Sequence, residues 1–256
     1  MKELLLALPG GMDSRGKAYG LTPAPMAYRI AQGPRLLGAR LPAAARGGVM
    51  GLDCQGFDGR GDPLPCCRQI LAECRRRGFR GILCDFEGPP AGCLPKLAGA
   101  LARGCADQGW TLYVPEAYAP HAPSARLLLP SRLTSGTLEG RLRAALAHYG
   151  PERLALAVEW VREDFPLPAA GRGRPLSREE LADQLRRLEP AVFFDRGLCA
   201  HYYTYMAAGG QAHFVLFDTP RSLAEKLAVA QRLGLWAALL PGPEVEDCLD
   251  ELFPQP

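Results

Sequence analysis

Short apolar runs alternate with longer stretches of helical spacing along most of this chain. Glu3–Leu8 reads as a first β-strand, Pro23–Gln32 as a short helix and Leu36–Leu41 as a second strand, in a region crowded with Gly, Pro and Ala. Val49–Asp53 follows Gly47-Gly48 as a third strand. Pro65–Arg77 then sets Ile70, Leu71 and Cys74 on one helical face. It closes on Arg75, Arg76, Arg77 and Gly78, cations and a glycine that suit the negative end of a helix dipole. Gly81–Glu87 is a fourth strand, Leu94–Gln108 a helix stopped by Gly109, and Thr111–Ala117 a fifth strand. Arg126–Leu129 is short and apolar, Leu138–His148 is helical, and Leu154–Val158 is extended. Ser177 and Glu180 form a capping-box pair at the start of a helix running to Leu188. Ala191–Phe194, Ala200–Met206 and His213–Phe217 read as strands, the last two joined by Gly209-Gly210 as a hairpin. Ser222–Leu233 is a helix, Leu235–Leu240 a last strand and Glu244–Leu252 a last helix.

With the hairpin region set aside, eight strands remain, near residues 5, 38, 51, 84, 114, 128, 156 and 238. They are continuous apolar runs, as expected when both faces of a parallel sheet are covered. Eight such units in 256 residues match the ~250 residues of a (β/α)8 TIM barrel, here a single domain over 1–256. An open doubly wound sheet is the alternative, but "PGGMDSRG" after the first strand lacks the G-x-G-x-x-G turn usual there.

The stretch "GILCDFEGPP" (81–90) ends an apolar strand on two acids. Active sites of (β/α)8 barrels lie at strand C-termini, and residues two apart on a strand share a face. Asp85 and Glu87 can therefore enter the barrel mouth together. Two neighbouring carboxylates do not ionise independently, so one pKa rises, as a general acid requires. The competing reading is a pair of ordinary loop acids. Asp53 and Glu116 end other strands and could line the same mouth, or could simply bond nearby backbone N–H groups. Tyr113 and Tyr118 bracket Glu116 and are candidates for stacking on a sugar ring, with core packing as the alternative. Glu159 and Trp160 close the strand at 154–158, and Trp160 is a further stacking candidate or a residue covered by the 162–176 loop.

Composition narrows the classes. The chain is 48% hydrophobic and 22% charged, with a net charge of +3, which gives no case for nucleic acid. No segment approaches the ~20 apolar residues of a membrane helix. "MKELLLALPGG" is too short for a secretory signal followed by a cleavage site, so a cytoplasmic location is expected. The nine cysteines include no C-x-x-C pair and read as reduced, buried thiols. The four histidines have no metal-binding spacing. No metal or other cofactor is expected.

"RGILCDFE" (80–87) resembles the strand-4 signature of glycoside hydrolase family 18, the chitinase-like barrels, whose pattern is D-G-x-D-x-D-x-E. The resemblance puts the family's general acid on Glu87 and its acetamide-orienting Asp on Asp85. "ERLALAVEWVREDFPLP" (152–168) and "AHFVLFDTPRSLAEKLAVAQRLGL" (212–235) resemble the spore-cortex-lytic branch, whose members read roughly "KILLGIPLYGYDWPLP" and "HEVWFEDARSIQAKLDLVKEYGL". The resemblance covers residues 78–240 and is poor before them. It implies a small α+β insertion between barrel strands 7 and 8, at 177–219. The sequence also departs from the family. The two earlier Asp positions of the signature are Arg80 and Leu83. The strand-6 tyrosine that contacts the reacting acetamide falls at Leu129-Pro130-Ser131, on Ser131. The Trp flooring the sugar pocket falls near Pro241.

The resemblance implies a substrate-assisted, retaining glycosidase acting on an N-acetylglucosamine-containing glycan, chitin-like or cortex peptidoglycan, an exception to the two-carboxylate rule. Catalysis would rest on Glu87 and Asp85, with Asp53, Glu116, Tyr113, Tyr118, Trp160 and Ser131 lining the site. The alternative is a catalytically inactive relative that binds a glycan or a protein partner. Retention of both acids favours the first; loss of the middle Asp, the Tyr and the Trp favours the second. A spore-associated location follows only from the resemblance. Which glycan is taken and the oligomeric state stay open.

Overall fold

The computed structural model describes residues 1–38, 47–133, 136–169, 171 and 173–254. The first eight extended segments are β1 (Glu3–Pro9), β2 (Thr22–Ala31), β3 (Arg35–Gly38), β4 (Met50–Asp53), β5 (Gly81–Asp85), β6 (Thr111–Pro115), β7 (Arg126–Pro130) and β8 (Leu154–Ala157). They are followed by β9 (Arg162–Pro166), β10 (Arg174–Pro175), β11 (Phe193–Asp195), β12 (Ala200–Met206), β13 (Ala212–Phe217) and β14 (Ala237–Pro241). β1, β2, β4, β5, β6, β7, β8 and β14 pair in parallel in that order, and β14 pairs back onto β1. The result is a closed eight-stranded parallel barrel, the (β/α)8 TIM-barrel architecture.

Helices α1 (Leu64–Arg77), α2 (Leu94–Gln108), α3 (Leu138–Tyr149) and α5 (Pro220–Arg232) return the chain between barrel strands, while α4 (Arg178–Leu188) lies outside this set. Each end signal does what its residues allow. Gly78 and Gly109 adopt the left-handed conformation at the ends of α1 and α2 and donate to the last-turn carbonyls. Thr219 and Ser222 form a reciprocal cap on α5, so this helix starts two residues before the expected Ser222. β1 and β6 are followed by single 3-10 turns at Arg15–Tyr19 and Glu116–Tyr118.

The second barrel strand departs from the sequence reading. Thr22–Ala31 is β2, not a helix, and Arg35–Gly38 turns back as an antiparallel partner outside the barrel. The rest of the expected strand, 39–41, lies outside the described residues. Pro23 and Pro25 mimic a helix start. Two apart on a strand, they withhold donors from the same edge only, the one facing β4. There Pro23 still accepts from the Val49 N–H at 2.9 Å, and pairing begins at Met26.

One ring of side chains fills the barrel: Leu5, Ala24, Val49, Leu83, Tyr113, Leu128, Ala155 and Ala237, one from each strand or the residue leading into it. The outer core, between strands and helices, contains Cys66, Cys67, Cys74, Cys84 and Cys105, all free thiols. Burial pushes the Cys74 and Cys105 thiols up to about 12, so these cysteines pack as small hydrophobes.

Between β8 and β14 the chain builds a second sheet, in the order β10-β9-β13-β12-β11, all antiparallel. It begins at Arg162, earlier than the expected 177. Leu176 and Leu181 pack with Tyr203, Val215 and Phe217 on one face of this sheet, with Leu185 and Leu188 of α4 against them. The sheet is tied to the barrel by Arg162, which pairs with Glu244 at 2.8 Å. A second tie is the fully buried pair Lys226–Asp218 at 2.6 Å, whose Asp218 also accepts from the Val161 N–H.

Candidate active site

Parallel register brings three charged side chains into one row at the C-terminal end of the barrel. Arg29 of β2 is level with Asp53 of β4, and Asp53 is level with Asp85 of β5. Arg29 Nε donates to Asp53 Oδ1 at 2.9 Å, and the Gln55 N–H donates to the same oxygen at 3.0 Å. Asp53 is therefore neutralised on one side and faces Asp85 on the other. Phe86 turns into the core against Tyr118, with ring centroids 5.5 Å apart. Its burial leaves Asp85 and Glu87 exposed on either side of it, although β5 ends at Asp85 and Glu87 stands on the following loop. The barrel rim desolvates Asp85 and raises its carboxyl above the ordinary value, with the charges of Glu87 and Asp53 adding to the rise. Glu87 makes no side-chain hydrogen bond among the described residues, so its carboxyl is free to meet a ligand.

The remaining candidates do not join this row as expected. Tyr113 lies inside the barrel and points to its opposite end, where its hydroxyl donates to Glu3 Oε2 at 2.5 Å. Tyr118 is fully buried, its hydroxyl has no partner among the described residues, and burial pushes it up to about 12. Neither ring can stack on a sugar. Glu116 is held by Arg141 of α3. Ser131 is 2% exposed. Its Oγ accepts from the Glu159 N–H at 2.9 Å and its own N–H donates to the Ala157 carbonyl, so it fastens β7 to the segment after β8. Trp160 is half-buried against the outer core and keeps part of its ring open. Leu83, at the middle-Asp position, is part of the barrel's interior ring.

A cavity of about 780 Å3 lies beside the mouth, between the ends of β7 and β8 and the second sheet. That is within the roughly 300–1,000 Å3 usual for ligand pockets. Arg132, Glu159 and Glu163 supply its polar edge, with Arg132 paired to Glu163 at 2.7 Å and its N–H donating to Glu159. Phe165 and Phe214 are among its apolar lining. Asp85 and Glu87 do not line it. Sequence reading missed Arg29, because its segment read as a helix. It also missed Arg132, Glu163, Phe165 and Phe214. Phe165 falls in the stretch 162–176 that read as a loop, and Phe214 opens the apolar run Phe214–Phe217, which does not show which face is covered. Among the described residues no cluster of His, Cys, Asp and Glu could hold a metal ion, and no helix is long and apolar enough to cross a membrane.

No protein-family model and no curated protein sequence matches this chain. Solved structures do. A chitinase from Chromobacterium violaceum superposes with a TM-score of 0.68 at 17% identity, covering 94% of each chain. The spore cortex-lytic enzyme SleL of Bacillus megaterium gives 0.65 at 14% identity, over 93% of this chain and 70% of that one. A family 18 chitinase from Cycas revoluta, solved with an N-acetylglucosamine tetramer, gives 0.63 at 13% identity over 98% and 97%. The fold is thus that of the family 18 glycoside hydrolases.

Proposed function

We propose that this protein is a divergent glycoside hydrolase that cleaves an N-acetylglucosamine-containing glycan at the barrel mouth. The observation that carries the reading is the row Asp53–Asp85 with Glu87 beside it, on the barrel face where this fold does its chemistry. In a substrate-assisted reaction the acetamide oxygen of the sugar attacks the anomeric carbon while Glu87 donates a proton to the departing glycosidic oxygen. Asp85 accepts a hydrogen bond from the acetamide N–H. That bond favours the ionised form of Asp85. Asp53, one strand away, takes over as the neighbouring acid that Leu83 no longer supplies.

A second reading has its own support. By the resemblance, the position of the family's strand-6 tyrosine falls on Ser131, whose Oγ accepts from the Glu159 N–H, and that of its floor tryptophan falls near Pro241, so a binding protein without turnover fits the same mouth. The deciding measurement is release of reducing ends from chitohexaose and from peptidoglycan fragments by the wild type and by Glu87→Gln. Release lost by at least about a hundredfold in the variant, the usual scale for a general acid, establishes the hydrolase. Saturable binding without release by either protein establishes the binding protein.

A further inference from the structure

β2 does not pair evenly with β4. Met26 is level with Gly51, but Tyr28 is level with Leu52 and Arg29 with Asp53, so β2 carries an extra residue between Met26 and Tyr28. Such a bulge turns the side chains that follow it to the opposite face of the strand. Ala24 belongs to the barrel's interior ring, and Met26 packs against that ring. Strict alternation would put Tyr28 inside as well. Instead Tyr28 packs in the outer core, its hydroxyl donating to Glu73 of α1 at 2.9 Å, and Arg29 takes the inward face. Asp53 and Asp85 follow Leu52 and Cys84, which both pack in the outer core, so the two acids share that inward face. The bulge therefore aims a guanidinium at the acids of the mouth.

Arg29 is bound there at more than one point. Its Nε and the Gln55 N–H both donate to Asp53 Oδ1, and its Nη2 donates to the Gln55 side-chain oxygen at 3.4 Å. Asp53 Oδ2 has no hydrogen-bond partner among the described residues. An ion pair this exposed adds little to stability, whereas bulges recur beside active sites, where they re-aim a side chain. We propose that Arg29 is a positioning residue for hydrolysis: it holds Asp53 ionised and in one orientation, so that Asp53 and Asp85 share a single proton and Asp85 keeps its other oxygen for the acetamide N–H of the sugar. The proposal rests on the reading of the mouth as a glycosidase site. Two carboxylates side by side do not both ionise cheaply, so one proton between them is their favoured state. The guanidinium keeps a second proton off the pair, and that second proton would remove the acceptor the acetamide needs.

The test is the pH profile of chitohexaose hydrolysis, with kcat and KM separated, for the wild type, Arg29→Gln and Arg29→Lys, each checked for folding by its melting curve. Arg29→Gln should lower kcat by roughly tenfold to a hundredfold, the scale of a misplaced catalytic group, and leave KM within about twofold. Its acid limb should move to higher pH, because carboxylates that lose a neighbouring cation hold their protons more tightly. Arg29→Lys keeps the cation but not the planar fork, so its acid limb should stay with the wild type while kcat recovers only in part. An Arg29→Gln profile that matches the wild type, or a lower kcat with the acid limb unmoved, overturns the role of Arg29 and leaves the mouth reading intact. An acid limb displaced equally in both variants also overturns it, because the charge would then not be what acts. No release of products by the wild type overturns the mouth reading and this proposal together.

Discussion

Asp85 shows how neighbours set the behaviour of a single side chain. Its carboxyl is raised by the desolvating rim and by two other acids, so the folded state holds this proton more tightly than the unfolded chain does. Such a group stabilises the fold fully below its unfolded pKa, and that contribution is lost as pH rises through the folded value. Asp85→Asn should therefore melt at a higher temperature than wild type at neutral pH, with the gap closing below about pH 4, near the ordinary carboxylate value. Melting curves across that range check it. A variant less stable at neutral pH would mean that Asp85 makes favourable contacts that outweigh the repulsion. The same residue illustrates what spacing can reveal: D-x-E on a strand implied a shared face, and the burial of Phe86 between them agrees.

At the scale of elements, a fully buried ion pair adds to the Arg162–Glu244 tie between the second sheet and the barrel. Lys226 of α5 donates to Asp218 at 2.6 Å, and Asp218 also receives the Val161 N–H. The segment that carries Glu159 and Trp160 to the mouth is held there by this pair. Lys226 additionally donates to the Glu159 carbonyl at 3.3 Å. Lys226→Met would leave a carboxylate buried without its cation, at a cost of about 3–5 kcal/mol. Urea unfolding should show that loss, and glycan binding at the mouth should weaken with it. Neither residue stood out in the sequence: Asp218 follows the strand read as His213–Phe217 and Lys226 falls inside the helix read as Ser222–Leu233, and one-dimensional periodicity does not say which helix faces which loop.

For the whole molecule, closure of the barrel demands close approach at a few points. Gly51 of β4 faces the interior against β2, and a β-carbon there would stand 2.6 Å from the Pro25 carbonyl oxygen. Backbone cannot yield as a side-chain tip can. Gly51→Ala should cost at least about 1–3 kcal/mol, measured by chemical denaturation, with far-UV circular dichroism reporting whether the barrel still closes. A tolerated alanine would mean that β2 is less tightly seated on β4 than the register indicates.

Local chemistry alone determined much of this protein. Continuous apolar runs, glycine stops and the box at Ser177 and Glu180 each act within a few residues, so seven of the eight barrel strands and the main helices were readable without coordinates. The strand-end acids were readable for the same reason. Tertiary structure decided the rest. β2 is a strand because two neighbours supply its pairing, against prolines that locally favour a helix start. Tyr113 and Tyr118 left the site because a barrel's interior and outer core need large side chains, and only closure shows which tyrosine fills them. Arg29 at the mouth and the cavity at Arg132 exist only where strands distant in sequence come into register. Register between such strands is set by packing over the whole molecule, which no short window of sequence contains.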